Sequence, residues 1–350
     1  MLKAIERFGR NLLLKFLNRH RLPQTTQTAA PGSILVIRTD PRVGNVIMLT
    51  AFLKELQLAF PKSQTTLLGP AKAKILLADA PMLSTLWSFN KKKVLGDDGW
   101  LVTLQRLRKT HFDLIIDASN PTSPSTTQTL LTLSGRAPQT LSFGQPGEKS
   151  AYTLTAKPLP DQTHENLQRV QLLRPLGYTP TEPQLPDLGH LVQRPCPPIE
   201  AWLDKGALKA FVIINIGARL QEKQLQASDY QEIIQSLELL KLNVVLTYGP
   251  SERSLAEQSA QNTSAKLAPP TNLLELAALF HKARAVITCD TGPMHLAVAL
   301  GTPTCGIFVS TPPERYGYEG RGHTRVDARN GFNAEAQALV SNWCTALLQD

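Results

Sequence analysis

Short apolar runs alternate with longer amphipathic stretches along most of this chain, and the two periods predict strands and helices in turn. Ile34 to Ile37 contains no polar position and reads as a buried strand. The turn Arg38-Thr39-Asp40-Pro41-Arg42-Val43-Gly44 then leads into a helix whose apolar positions include Ile47, Leu53 and Leu56, ended by Pro61. Thr65 to Leu68 and Phe112 to Asp117 read as further strands, the second followed by the Ser/Thr/Pro-rich loop Ser119 to Thr129. From Tyr178 to Pro198 prolines 180, 183, 186, 195, 197 and 198 break any regular pattern, which marks an interdomain connection.

A second alternating unit follows. Phe211 to Ile216, Asn243 to Tyr248, Ala285 to Thr288 and Thr304 to Val309 read as strands, with helices at Tyr230 to Leu240 and Leu273 to His281. Another helix opens near Gly292-Pro293, and Asn333 to Leu348 reads as a closing helix. Strands alternating with helices imply parallel sheets covered on both faces, an α/β class with two Rossmann-like halves. The expected division is a basic amphipathic helix at 1–24, a first domain at 25–190, a linker at 191–208, a second domain at 209–332 and a closing helix at 333–350.

The most informative stretch runs from Cys289 to Phe308, CDTGPMHLAVALGTPTCGIF. A strand passes into Asp290-Thr291-Gly292-Pro293, where glycine permits a tight turn and proline suits a first helical turn whose N–H groups lack partners. Those N–H groups and the positive end of the helix dipole attract an anion. Asp290, Thr291 and His295 add an acceptor, a hydroxyl and an imidazole at the same mouth. A diphosphate leaving group fits this device, and so does an ordinary scaffold turn.

Composition narrows the partners. The 350 residues are about twice a typical domain, and 37 Lys+Arg against 28 Asp+Glu give +9, which favours anionic ligands. Cys196, Cys289, Cys305 and Cys344 form no C-x-x-C pair, so a zinc site or disulfide framework is not expected and a reducing cytoplasm fits. No apolar run reaches the roughly 20 residues needed to span a bilayer. At the start of the chain Ile5, Phe8, Leu12 and Phe16 share one stripe among six Lys/Arg, opposed by Glu6. Such a helix lies on an anionic membrane or packs on its own domain. D-x-D, H-E-x-x-H, Walker and nucleophile-elbow motifs are missing, and His20, His111, His164, His190, His281 and His323 lack metal-ligand spacing.

The run from Asp290 to Pro303, D-T-G-P-M-H-L-A-x-A-L-G-T-P, with F-x-x-T-x-P from Phe308 to Pro313, resembles the C-terminal signature of glycosyltransferase family 9, the ADP-heptose:lipopolysaccharide heptosyltransferases and their relatives. Three further segments carry the likeness, which extends from about Ile34 to Gly320. The first is ILVIRTDPRVGNVIMLTAFLKELQLAFP, similar to the family's opening strand, glycine turn and helix. The second, VIINIGARLQEKQL, is similar to its strand, glycine and basic loop ahead of a lysine. The third is VVLTYGPSERSLAE, with the strand-end G-P-x-E.

The resemblance implies the GT-B fold, two Rossmann-like domains facing a cleft, with the acceptor on the N-terminal and the nucleotide sugar on the C-terminal domain. It implies donor contacts from Gly44, Gly217, Arg219, Lys223, Gly249, Glu252, Asp290, Thr291, Gly292, Pro293 and His295. Among these, Lys223 neutralises the diphosphate and Glu252 either accepts from ribose hydroxyls or caps a helix. Relatives read Gly-Asp at the first helix, where the aspartate is the general base; this chain reads Gly44-Asn45, and an amide takes no proton at physiological pH. Asp40, the nearest carboxylate in that loop, is a substitute base or a turn cap.

The implied reaction is inverting transfer of a heptose or related sugar from an ADP-sugar to an anionic glycolipid, a lipopolysaccharide-core or lipid A-linked acceptor. It uses no metal or cofactor and no nucleic acid, and belongs in the cytoplasm or at the cytoplasmic face of the inner membrane. Two alternatives stay open: a homologue with weak or no catalysis, acting as a binding or regulatory protein, and a GT-B-type sugar-nucleotide epimerase.

Overall fold

The computed structural model describes residues 30–144, 151–180, 185–218 and 220–349. The expected N-terminal helix at 1–24 and Arg219 lie outside them. The described residues form two compact units, one up to residue 180 and one from Leu185 onward.

The first unit holds a six-stranded parallel sheet of β1 (Ser33–Ile37), β2 (Gln64–Gly69), β3 (Thr85–Ser88), β4 (Leu114–Asp117), β5 (Gln139–Phe143) and β6 (Leu154–Ala156), ordered β3-β2-β1-β4-β5-β6. Central β1 is an unbroken apolar run because helices cover both faces of a parallel sheet, and Ile34 to Ile37 are fully buried. The helix Val43–Ala59 shows no polar stripe from Val46 to Leu53 and is buried along that length. On one face of the sheet, Leu35, Ile37, Leu68, Ile115 and Leu131 pack with Phe89 and Phe112. Burying each such side chain stabilises by about 1.5–3 kcal/mol.

The second unit repeats the plan with β7 (Phe211–Ile216), β8 (Asn243–Tyr248), β9 (Lys266–Leu267), β10 (Ala285–Cys289), β11 (Thr304–Phe308) and β12 (Thr324–Asp327), ordered β12-β11-β10-β7-β8-β9 and all parallel. Both orders are that of a doubly wound Rossmann sheet, so each has a switch point where the order reverses: between β1 and β4, and between β7 and β10. The closing helix Ala334–Gln349 seals the second core through Ala336, Val340 and Cys344.

The proline-rich stretch differs from the expected linker. Residues 185–208 fold onto the second unit, where Leu188 is fully buried and its N–H donates to the Ala299 carbonyl at 2.8 Å. The helix Pro197–Lys205 packs against the helix Leu273–Lys282. Proline interrupts the pattern there, but Leu188, Leu191, Ile199 and Leu203 still bury their side chains. No helix among the described residues is long and apolar enough to cross a membrane.

Candidate functional site

Open α/β sheets bind ligands at the carboxyl ends of their strands, at the switch point. In the second unit the loops after β7 and β10 meet there. Lys223 on the first loop bonds Asp290 on the second, Nζ to Oδ2 at 2.5 Å, and Thr311 Oγ1 donates to the same oxygen at 2.6 Å. The Asp290 side chain is 6% exposed and that of Lys223 22%, so the ammonium is held at the edge of solvent by a buried carboxylate.

Thr291 is the N-cap of the helix Gly292–Ala299, yet its side chain makes no capping bond and the first turn carries no acidic residue. Pro293 lies in that first turn, one place after Gly292. Two other helices of this unit, Ala227–Leu239 and Leu273–Lys282, have complete capping boxes. An uncapped helix start beside an ammonium group favours an anion. His295, buried in that turn, has Nδ1 2.9 Å from the Tyr318 hydroxyl, and the rings meet edge to face at 5.7 Å.

Behind the mouth, a polar ladder crosses the central strands. Thr247 Oγ1 donates to Asn215 Oδ1 (3.1 Å), Asn215 Nδ2 to Thr288 Oγ1 (3.3 Å), and Thr288 and Thr291 hydroxyls lie 3.4 Å apart. Buried polar groups need partners, and these satisfy one another while fixing the Thr291 hydroxyl. On the other flank Gly217, Gly249 and Glu252 form one corner. Gly217 has φ +90°, and a Cβ at either glycine would collide with the Glu252 side chain, whose Oε1 accepts from Ser251 Oγ at 2.6 Å.

His323 is buried near Tyr318, ring centroids 6.5 Å apart. Burial, with the charge of Arg321, lowers its pKa to about 4 from 6.5. The folded state therefore holds the neutral ring. Its contribution is complete above pH 6.5 and is lost as pH falls through about 4, up to about 3 kcal/mol in all. His323→Gln is expected to flatten the loss of stability across this window in denaturant titrations at stepped pH. A slope equal to that of the wild type would refute the assignment.

In the first unit the turn after β1 meets the end of β4 across its own switch point. Arg38 is buried and donates from Nη1 to the Ala118 carbonyl at 2.9 Å, and Thr39 N donates to Gln128 Oε1 at 2.8 Å. Gln128 and Tyr152 in turn bond the buried Asp117 carboxylate at 2.8 and 2.6 Å. Asp40 accepts from Arg42 through its backbone N and Nε (both 3.0 Å) and Nη2 (2.5 Å), and from Asn45 Nδ2 at 2.8 Å. Burial raises the Asp40 pKa, but the Arg42 hydrogen bonds and the charges of Arg38 and Arg42 outweigh it and bring the value to about 2. Burial, then the charge of Arg169, lowers the Arg38 pKa to about 9. Gly44 and Asn45 occupy the first turn of the helix Val43–Ala59, which has no side-chain cap and no acidic first turn.

The structure thus joins Lys223 to Asp290, Gly217 and Gly249 to Glu252, and Asp40 to Asn45. Sequence reasoning did not assign Thr311, Tyr318, Asn215, Thr247, Thr288 or Arg42. Thr311 was signalled by its place in F-x-x-T-x-P; Arg42 acts locally, on Asp40 two residues before it, and the others act through contacts between distant segments. Among the described residues no group of three or more His, Cys, Asp or Glu side chains is placed to hold a metal ion.

Comparison with known proteins gives a consistent picture. The model of glycosyltransferase family 9 (heptosyltransferase) matches residues 100–342. A lipopolysaccharide core heptosyltransferase of Haemophilus influenzae, OpsX, is 24% identical over 82% of this chain and 82% of its own. The crystal structure of a family 9 glycosyltransferase from Veillonella parvula superposes with TM-score 0.75 at 19% identity, covering 91% of this chain and 98% of that one. The heptosyltransferase WaaC of E. coli, solved with ADP, gives 0.70 at 16% identity over 90% and 99%.

Proposed function

The chain belongs to glycosyltransferase family 9, and from that premise we propose that it transfers a heptose from ADP-heptose to a hydroxyl of a lipopolysaccharide-core or lipid A-linked acceptor, with inversion. The carrying observation is the uncapped helix start at Thr291-Gly292, flanked by the Lys223–Asp290–Thr311 cluster and by His295 bonded to Tyr318. There the diphosphate sits, with Lys223 and His295 meeting the charge that builds on ADP as it departs. Glu252, lying across Gly217 and Gly249, takes the ribose hydroxyls.

The acceptor oxygen attacks the anomeric carbon, the bond from that carbon to the diphosphate oxygen breaks, and the acceptor proton passes to Asp40. A carboxylate with a pKa near 2 is a weak base. Arg42, whose side chain is 66% exposed, must swing away for Asp40 to take the proton, while Asn45 keeps its carboxylate in place. No metal or cofactor enters, and the anionic glycolipid acceptor brings the enzyme to the inner membrane from the cytoplasmic side. The comparisons favour neither a non-catalytic homologue nor an epimerase.

The test is product analysis. Full-length protein with ADP-heptose and a heptose-deficient core glycolipid should release ADP and add one heptose, seen by mass spectrometry, with the anomeric configuration inverted by NMR. Failure on every core acceptor, or an isomerised nucleotide sugar as product, would overturn the reading.

A further inference from the structure

We propose that the segment 89–101 of the first unit is a membrane-contact element, which seats Val94, Leu95 and Leu101 in the head-group region of an anionic bilayer. These side chains are 62%, 71% and 55% exposed, and the backbone brings the two ends of the segment together, since Leu101 N donates to the Val94 carbonyl at 3.1 Å. Lys91, Lys92 and Lys93 precede them and are all exposed. Lys93 pairs with Asp98 at 3.1 Å, whereas Lys91 and Lys92 carry no ion pair among the described residues. Arg108 lies two turns beyond Leu101 on the same face of the helix Trp100–Lys109 and is also exposed; Asp97 is the exposed carboxylate of the segment.

The segment is held in shape. Phe89 and Trp100 meet edge to face at 5.0 Å, Trp100 Nε1 donates to the Lys91 carbonyl at 3.1 Å, and Asn90 N donates to the Asp98 carbonyl at 2.7 Å. Gly99 is packed so closely that a Cβ there would lie 2.6 Å from the Leu95 carbonyl oxygen. A fixed turn that exposes two apolar side chains therefore gains nothing from its own fold by doing so.

Charge decides the occupant. The core of a protein–protein interface is depleted in lysine, whereas lysines beside exposed aliphatic residues suit a surface of anionic head groups over acyl chains. Position agrees: β3, β2 and β1 run parallel, so this segment leaves the sheet at the end that also carries Asp40 and Asn45. This inference rests on the lipid-linked acceptor proposed above, whose sugar would then meet the same end of the unit as its membrane.

The experiment is co-sedimentation of the full chain with phosphatidylcholine vesicles, with and without phosphatidylglycerol. Wild type should bind the anionic vesicles more tightly. Lys91→Gln/Lys92→Gln and Val94→Ser/Leu95→Ser should each weaken that binding about ten- to thirty-fold, with thermal melting and ADP affinity unchanged. Both variants binding like wild type would place the contact elsewhere, the N-terminal segment included, and would overturn the proposal. So would wild type ignoring anionic vesicles, or self-association that both variants abolish. Transfer to a delipidated core oligosaccharide separates the two ideas. If it proceeds while vesicle binding fails, only this inference falls; if no acceptor is used at all, the transferase reading falls.

Discussion

Asp40→Asn is expected to lower turnover by about 10²–10⁴-fold, the usual cost of removing a general base, while ADP affinity stays within about two-fold of wild type. Asparagine keeps an acceptor for Arg42, so the turn should persist and the loss should lie in the chemical step. Two neighbours make the test sharper. Arg42→Ala removes the side-chain hydrogen bonds and the charge of Arg42, leaving the backbone N–H bond and Arg38, so the Asp40 pKa should rise and the acid limb of the pH–rate profile should move upward. Asn45→Asp replaces an amide that donates to Asp40 Oδ2 at 2.8 Å with a second carboxylate. Like charges at that distance cannot both ionise easily, so the pair should titrate in two steps with the upper one raised. That variant should be active, with its acid limb shifted upward. Normal turnover by Asp40→Asn would place the base elsewhere. Product from Asn45→Asp but none from wild type would revive the non-catalytic reading.

The central strands were legible because burial on both faces demands continuous apolar runs. Phe211–Ile216 and Asn243–Tyr248 lie where those runs predict them. The edge strands were not: Thr85–Ser88 and Thr324–Asp327 pair on one side only and carry polar residues that give no such run. The proline count in 178–198 suggested a linker because periodicity cannot see that Leu188 reaches the second unit's helix end at Ala299. At the site, residues next to strand ends were visible as motifs, since glycine and proline chemistry is local. The partners that set their behaviour were not. Arg42 is two residues from Asp40, but its charge reads as surface until its fork is seen closed on the carboxylate. Tyr318 is 23 residues from His295 and Thr311 21 from Asp290, and only the fold brings them together.

Lys223→Ala should cost twice over, in donor affinity and in stability. A charge-assisted contact to the diphosphate is worth about 1.5–3 kcal/mol, so ADP binding measured by calorimetry should weaken about 10- to 150-fold. The same change leaves Asp290 buried with Thr311 as its remaining side-chain donor among the described residues, a deficit of about 1–3 kcal/mol that should lower the melting temperature. Asp290→Asn separates the two effects. It relieves the buried charge and keeps an acceptor for Thr311, but frees the ammonium that the carboxylate fixed at 2.5 Å. If the carboxylate only positions Lys223, Asp290→Asn should lose less affinity than Lys223→Ala, and the double variant Lys223→Ala/Asp290→Asn should recover stability without recovering affinity. Wild-type ADP affinity in Lys223→Ala would move the diphosphate away from this cluster, and with it the donor site proposed for the second unit.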